Sequence, residues 1–270
     1  MSPTVPGILT RIVDDRRRRI AALQLETPGH VLRSRLGHAP PAGRLERALR
    51  RGGPEGPLRL LCEIKRASPS KGVLNATVDP VAMARLYEAG GAAGVSIVTE
   101  PDHFGGDLAW IGAARAATKL PILLKDFVLD TYQLLDAAVR GADGVLLITA
   151  MQTDVALQRL ISEARLLGLD TLVEVHTREE LTTAVRAGAT LVGINNRDLS
   201  TFEVNLETSI ELLPHVPPLV TAVTESGLQT PEDLRRLRAT RCDAVLMGEV
   251  FMTSKDPAAT LTALRSAARG

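Results

Sequence analysis

Charged and amide side chains gather at the ends of short apolar runs. Glu63 and Lys65 close the first such run, Lys125 the third, Glu174 the fifth, Asn195 the sixth and Glu225 the seventh. Carboxylates and amines in apolar surroundings are the groups that hold or move protons, because burial and neighbouring charge shift their pKa. On an extended chain Glu63 and Lys65 share one face, with Ile64 turned away. A charge buried without a partner is costly, so these groups must pair with one another or with a ligand. The plainer reading is an internal ion-pair network. Lysine adds weight to the chemical one. The chain has 5 Lys (Lys65, Lys71, Lys119, Lys125 and Lys255) against 27 Arg. Unlike arginine, lysine can give up a proton when buried, so Lys65 and Lys125 stand out.

A second set of residues suits an anion. Ser226-Gly227 and Gly248-Glu249 follow the last two apolar runs, where glycine lets backbone N–H groups approach a phosphate. Ser68-Pro69-Ser70-Lys71-Gly72 adds hydroxyls and a cation. Each feature alone is ordinary turn chemistry, and together they point to a phosphorylated substrate. Glu249 repels phosphate, so its side chain is expected to point away and leave its backbone N–H. Metal and nucleophile chemistry find little support. His30, His38, His103, His176 and His215 show no metal-ligand spacing, and neither Cys62 nor Cys242 has a neighbouring His to activate it. His176 lies just past a run end and is expected either to line the site or to be structural.

The elements that must position these groups repeat. Apolar runs lie at 58–64, 94–99, 121–125, 144–149, 169–175, 191–195, 219–224 and 244–248. Segments with helical periodicity separate them, the spacing of βα units with short connections. Near-continuous apolarity suits parallel strands covered on both faces. Ala-Gly and Arg-Gly pairs before several runs, at Gly90, Gly141 and Gly188, suit left-handed helix ends. Thr177 with Glu180 and Thr230 with Asp233 have the spacing of capping boxes. Eight strand–helix units imply an α/β fold, a (β/α)8 TIM barrel over 58–270, whose site lies at the strand C-termini. An open doubly wound sheet is disfavoured, because no Gly-x-Gly-x-x-Gly follows the first strand. Residues 1–57 read as an N-terminal helical extension and Gly/Pro-rich connector.

Composition bounds the class. The chain has 270 residues, 45% hydrophobic and 23% charged, with two cysteines and a net charge of +1. No stretch is apolar enough to span a membrane, and two cysteines make no disulfide framework, so a cytoplasmic location is expected. The near-zero net charge conceals a split. Residues 1–57 hold 11 Arg, no Lys and 5 acidic residues, and the remainder carries an excess of acid. Ile8, Leu9, Ile12, Ile20 and Leu23 recur near helical spacing with Arg16 to Arg19 largely between them, which reads as a helix with a solvated basic face. Aromatic content of 3% offers no stacking platform, so nucleic acid is not an expected partner.

Read together, the motifs resemble the indole-3-glycerol-phosphate synthase family. They are Glu63-Ile64-Lys65 with Ser68-Pro69-Ser70-Lys71-Gly72, Lys125-Asp126-Phe127, Leu172-Val173-Glu174-Val175, Ile194-Asn195-Asn196-Arg197-Asp198-Leu199 and Glu225-Ser226-Gly227. The resemblance runs from about residue 8 to the C-terminus and includes the basic N-terminal helix, which in that family packs over the barrel mouth. It implies ring closure, decarboxylation and dehydration of 1-(2-carboxyphenylamino)-1-deoxyribulose 5-phosphate, without cofactor or metal, in tryptophan biosynthesis. By the same resemblance, Lys125 is the general acid, Glu174 the base and Lys65 the holder of the substrate carboxylate. Which Lys serves the dehydration stays open. Glu63, Asn195 and Glu225 orient these groups, and Arg197 and Ser226 contact substrate. Phe104 and Phe127 wall the anthranilate ring, and Ser68, Ser70, Gly227, Gly248 and Glu249 belong to the substrate and phosphate end. Thr224 before Glu225, Leu228 after Gly227, Leu124 before Lys125 and the segment 73–78 depart from the usual family residues without removing a catalytic group.

Two other readings compete. Another phosphosugar barrel, such as phosphoribosylanthranilate isomerase, uses a Cys and an Asp at strand ends, where this chain carries Glu63 and Lys65. A non-catalytic binding barrel has no need of Lys65, Lys125 and Glu174 together. Beyond its small-molecule substrate, no membrane partner is expected, and the chain is expected to be a monomer, with a weak homodimer as the alternative.

Overall fold

The computed structural model describes residues 7–37, 41–53, 55–198 and 201–270; the side chain of Ile8, and His38 and Leu199, lie outside them. Eight parallel strands close into one barrel: β1 (Arg59–Ile64), β2 (Gly94–Val98), β3 (Ile122–Lys125), β4 (Gly144–Ile148), β5 (Asp170–Val175), β6 (Leu191–Asn195), β7 (Thr221–Glu225) and β8 (Ala244–Met247). Each strand pairs with its sequence neighbours, and β1 pairs with β8 to complete the ring. Every strand sits on an expected apolar run. The seventh starts two residues late because Leu219 is solvent-exposed.

Alternation divides each strand between two cores. On β1, Leu60, Cys62 and Ile64 face the surrounding helices, while Leu61 and Glu63 face the barrel axis. The lower interior is apolar, packed by Leu61, Leu123, Leu146, Leu172, Leu191 and Val223. One step up the same strands stand Glu63, Lys125, Glu174 and Glu225, so the charged layer rests on a dry floor.

Among the described residues, three helices precede the barrel: α1 (Gly7–Glu26), α2 (Gly29–Arg35) and α3 (Arg44–Leu49). The Gly/Pro-rich connector therefore contains a helix. Its Leu45 and Leu49 are fully buried and plug the bottom of the barrel. Gly144 makes room: a Cβ there would lie 2.7 Å from Leu45 Cδ2. Asp170, at the start of β5, caps α3 from outside, accepting N–H bonds from Gly43, Leu45 (2.8 Å) and Glu46 (3.0 Å). Asp170→Ala strands these donors, so we expect a loss of about 2 kcal/mol in urea denaturation; a loss below about 0.5 kcal/mol would show that α3 docks by its leucines alone.

Helix ends follow the expected chemistry with two differences. Thr230 and Asp233 form a complete capping box. At Thr177 only half forms: its hydroxyl accepts from Glu180 N–H, while the Glu180 carboxylate turns back to His176. Gly141 and Gly188 take left-handed backbone as expected, but after the helix Pro80–Ala89 it is Gly91 (φ 75°), not Gly90, that does so.

The basic face of α1 also needs correction. Arg17 and Arg18 are solvated, whereas Arg16 shares the buried stripe with Leu9, Ile12, Val13 and Ile20. Its guanidinium sits against Asp126, with Nε 3.0 Å from Oδ1. Asp15 with His103 (3.0 Å), and Arg19 with Asp102 (2.7 Å), hold the same helix to the short helix Pro101–Phe104 after β2.

Candidate active site

A cavity opens at the C-terminal end of the barrel. All fifteen residues expected at the site line it, and Leu9 and Ile12 of α1 close it from above. The structure thus brings together Glu63, Lys65, Ser68, Ser70, Phe104, Lys125, Phe127, Glu174, Asn195, Arg197, Glu225, Ser226, Gly227, Gly248 and Glu249.

The charged floor is two lysines among three carboxylates. Lys65 Nζ donates to Glu63 Oε1 at 2.7 Å. Lys125 Nζ donates to Glu225 Oε2 at 3.1 Å and lies 3.7 Å from Glu174 Oε2. Burial pushes the Glu63 carboxyl up, but Lys65 and Lys125 outweigh it and leave it below the usual range. Burial is the main force on Glu225, and with Glu174 nearby it lifts this carboxyl to about 7 despite Lys125. Burial alone would lower Lys125, yet Glu225, Glu174 and Glu63 raise it above the usual lysine range. The excess of carboxylate over ammonium thus raises Glu225 and favours the charged form of Lys125. Glu63 Oε2 and Glu225 Oε1 are buried without a hydrogen-bond partner among the described residues. Unsatisfied oxygens of this kind are costly in a resting protein and suit a site that binds a polar ligand.

Backbone geometry sets the rim. Asn195 Oδ1 accepts Arg197 N–H (3.0 Å), and the Arg197 guanidinium reaches Ser70 Oγ (3.2 Å) in the loop after β1 and the Phe202 carbonyl (3.1 Å). Ser226 has left-handed φ of 66°, uncommon outside glycine. Asn196 holds it there, donating to the Ser226 carbonyl at 3.0 Å while its own Oδ1 accepts Ser209 N–H. Glu249 does not stand unpaired beside the anion end: its carboxylate lies 3.7 Å from Lys71 Nζ.

The opposite wall is apolar. Phe104 and Phe127 stand with ring centroids 5.9 Å apart. The buried Glu100 side chain accepts N–H bonds from Asp102, His103 and Phe104 (3.0, 2.7 and 3.0 Å) and so fixes the turn that carries Phe104. Sequence reasoning missed Glu100; its signal was a Glu-Pro pair directly after an apolar run. It also missed Gly193, one step below Asn195 on the inner face of β6. A Cβ at Gly193 would lie 2.0 Å from Glu225 Oε1. Gly193→Ala is expected to push Glu225 off Lys125 and lower kcat roughly tenfold in a folded protein; unchanged kcat would show that Glu225 has other room. Cys62 faces the helices, fully buried, and burial pushes its thiol well up, so it serves packing.

The fold is shared with solved structures of other proteins. A 3-hexulose-6-phosphate synthase superposes with TM-score 0.64 at 16% identity, over 78% of this chain and 99% of that one. A thiamine phosphate pyrophosphorylase from Pyrococcus furiosus gives 0.60 at 19%, over 78% and 95%. At that identity they speak for the architecture alone. The sequence relatives are much nearer. An indole-3-glycerol phosphate synthase of Chloroherpeton thalassium is 42% identical over 93% of this chain and 96% of its own. Indole-3-glycerol phosphate synthase 1 of Streptomyces coelicolor is 42% identical over 97% and 96%. The family description "Indole-3-glycerol phosphate synthase" matches residues 9–264, which take in most of α1, all eight barrel strands and every group of the charged floor. The chain belongs to the indole-3-glycerol phosphate synthase family.

Proposed function

We propose that this barrel mouth converts 1-(2-carboxyphenylamino)-1-deoxyribulose 5-phosphate into indole-3-glycerol phosphate, CO2 and water. The observation that carries the reading is the pairing of Lys125 with Glu174, 3.7 Å apart, on the floor of a cavity with an aromatic wall and a serine- and glycine-lined rim. The substrate's aromatic ring lies against Phe104 and Phe127. Its phosphate lies at Gly227 and Gly248, where no side chain stands between backbone and anion, with Ser68 and Ser70 alongside.

Lys125 donates to the ketone oxygen as the carboxylate-bearing ring carbon attacks the carbonyl. Lys65, held by Glu63, pairs with that carboxylate until it departs as CO2. Glu174 then takes a proton from the new ring while a lysine protonates the departing hydroxyl. Two protons enter, at the ketone oxygen and at the hydroxyl, and one leaves at the ring. The difference is the proton consumed when a carboxylate leaves as CO2. A lysine with raised pKa still serves as the acid, because the alkoxide it quenches is a stronger base than an amine.

The test is direct: incubate the chain with this substrate, follow indole fluorescence and measure released CO2 in step with it. Substrate isomerised without CO2 would support the isomerase reading instead. Substrate bound tightly and recovered unchanged would support a binding barrel.

No helix among the described residues is long and apolar enough to cross a membrane.

A further inference from the structure

We propose that His176 is a positioning residue for Glu174 and carries the proton taken from the substrate ring out to solvent by way of Glu180. This rests on the ring-closure reading of the site and adds a residue to it.

The two oxygens of Glu174 face different partners. Oε2 looks toward Lys125 at 3.7 Å, and Oε1 looks toward His176 Nε2 at 3.5 Å. The other ring nitrogen, Nδ1, lies 3.2 Å from Glu180 Oε2, which also accepts the His176 backbone N–H at 2.7 Å. Sequence spacing predicts that the Glu180 carboxylate bonds back to Thr177 N–H to complete a capping box. It gives up that bond to hold His176. The Glu174 side chain is 2% exposed and that of Glu180 22%, so the imidazole bridges a buried base and a carboxylate that meets water. His176 Nε2 is itself buried and has no hydrogen-bond partner among the described residues. In the tautomer that donates Nδ1–H to Glu180, the Nε2 lone pair points at Glu174, the arrangement the transfer requires.

The proton path balances. The ring C–H bond breaks, its electrons stay in the ring, and the proton goes to Glu174. The resulting carboxylic acid passes it to Nε2 of neutral His176. The imidazolium releases its Nδ1 proton to Glu180, which gives it to water; the Nε2–H tautomer this leaves is reset when Nδ1 takes a proton back from water through Glu180 and the Nε2 proton passes by way of Glu174 to a lysine that has given its own to the substrate. Lys125 stays free to act as acid on the other side of Glu174.

The foremost charged groups acting on His176 are carboxylates: Glu180 from the helix Arg178–Arg186, Glu174 from β5 and Glu225 from β7, with the Lys125 cation beyond Glu174. Burial works to lower its pKa, and these three outweigh it and raise it. Below that pKa His176 already holds its second proton and cannot accept another, so turnover has an acid limb set by His176.

The experiment is the pH profile of kcat for wild type, His176→Asn and Glu180→Gln. Asparagine can still donate to Glu180 but cannot take a second proton. We expect His176→Asn to lower kcat roughly tenfold or more near neutral pH, with KM within about threefold. Its acid limb should flatten, and added imidazole should restore part of the rate. Glu180→Gln removes a charge that holds the proton on His176, so its acid limb should move to lower pH. That variant, at a partly exposed position, reports the same limb should His176→Asn fail to fold. An unchanged kcat in His176→Asn overturns the proposal, as does a loss with the acid limb intact and no imidazole rescue. Absence of indole product from the wild type would instead overturn the reading it rests on.

Discussion

Lys125→Ala is expected to lower kcat at least ~10²-fold, the scale of removing a general acid, while leaving the barrel folded. The effect is large because no other group can stand in. Lys65 is committed to Glu63 at 2.7 Å, and His176 lies on the far side of Glu174. The ammonium of Lys125 is held between Glu225 at 3.1 Å and Glu174 at 3.7 Å, which aims it into the cavity and keeps it charged. The fold tolerates its loss because Glu225, already raised to about 7, takes up a proton when its cation goes. An unpaired carboxyl then stays neutral, avoiding the full cost of an isolated buried charge. Lys125→Arg is expected to fail as well, since a guanidinium keeps a charge there but yields no proton. The measurement is indole fluorescence at saturating substrate, with near-UV circular dichroism to confirm packing. Wild-type turnover in Lys125→Ala would remove Lys125 from the acid's role.

The second large effect falls on stability. Arg16→Leu is expected to cost about 3 kcal/mol at pH 8, because removing one partner of a buried ion pair leaves the other charge uncompensated. The pair is close, 3.0 Å, with both side chains almost wholly buried. It is not ideally directed: Arg16 Nε and Nη1 make no well-angled hydrogen bond among the described residues. Asp126 has a further partner in Thr99, whose hydroxyl donates to it at 2.7 Å, and this moderates the loss. The pH dependence identifies the mechanism. Burial raises the Asp126 carboxyl, and Arg16 is the foremost counterweight. Without Arg16 that pKa rises further, so the folded chain binds a proton more tightly than the unfolded one. Such a group stabilises the fold fully below its unfolded pKa, and the contribution is lost as pH rises through the folded value. Urea denaturation should therefore find the variant closer to wild type at pH 5.5 than at pH 8. A penalty below about 1 kcal/mol, the scale of a surface ion pair, or one that ignores pH would show that α1 is held by its apolar stripe alone.

Much of the barrel was legible because its period is short and local. A strand buried on both faces writes itself as an apolar run, and glycines and threonines at the helix ends punctuate what lies between. The exceptions share one cause. Arg16 reads as one of four consecutive arginines, and only the helix phase, met by Asp126 just past the end of β3 and more than a hundred residues away, distinguishes it from its solvated neighbours. Asp170 reads as the first residue of a strand, and its role as a helix cap exists only because α3 is brought beneath the barrel. Glu180 reads as half of a capping box, and tertiary proximity of His176 to Glu174 gave its carboxylate a different use.

The sequence by itself determined that there are eight parallel strands, that their inner positions turn from apolar to charged toward the C-terminal ends, and which side chains stand there. These depend on residue type and on the two-residue alternation of a strand, which are properties of neighbours along the chain. Only the tertiary structure decided which carboxylate meets which lysine. That choice pairs Lys65 with Glu63 two residues away but Lys125 with Glu225 one hundred residues away. Coulomb energy depends on distance through space and on the surrounding dielectric. Both are set when the barrel closes and packs its apolar floor, and neither is written in the order of the residues.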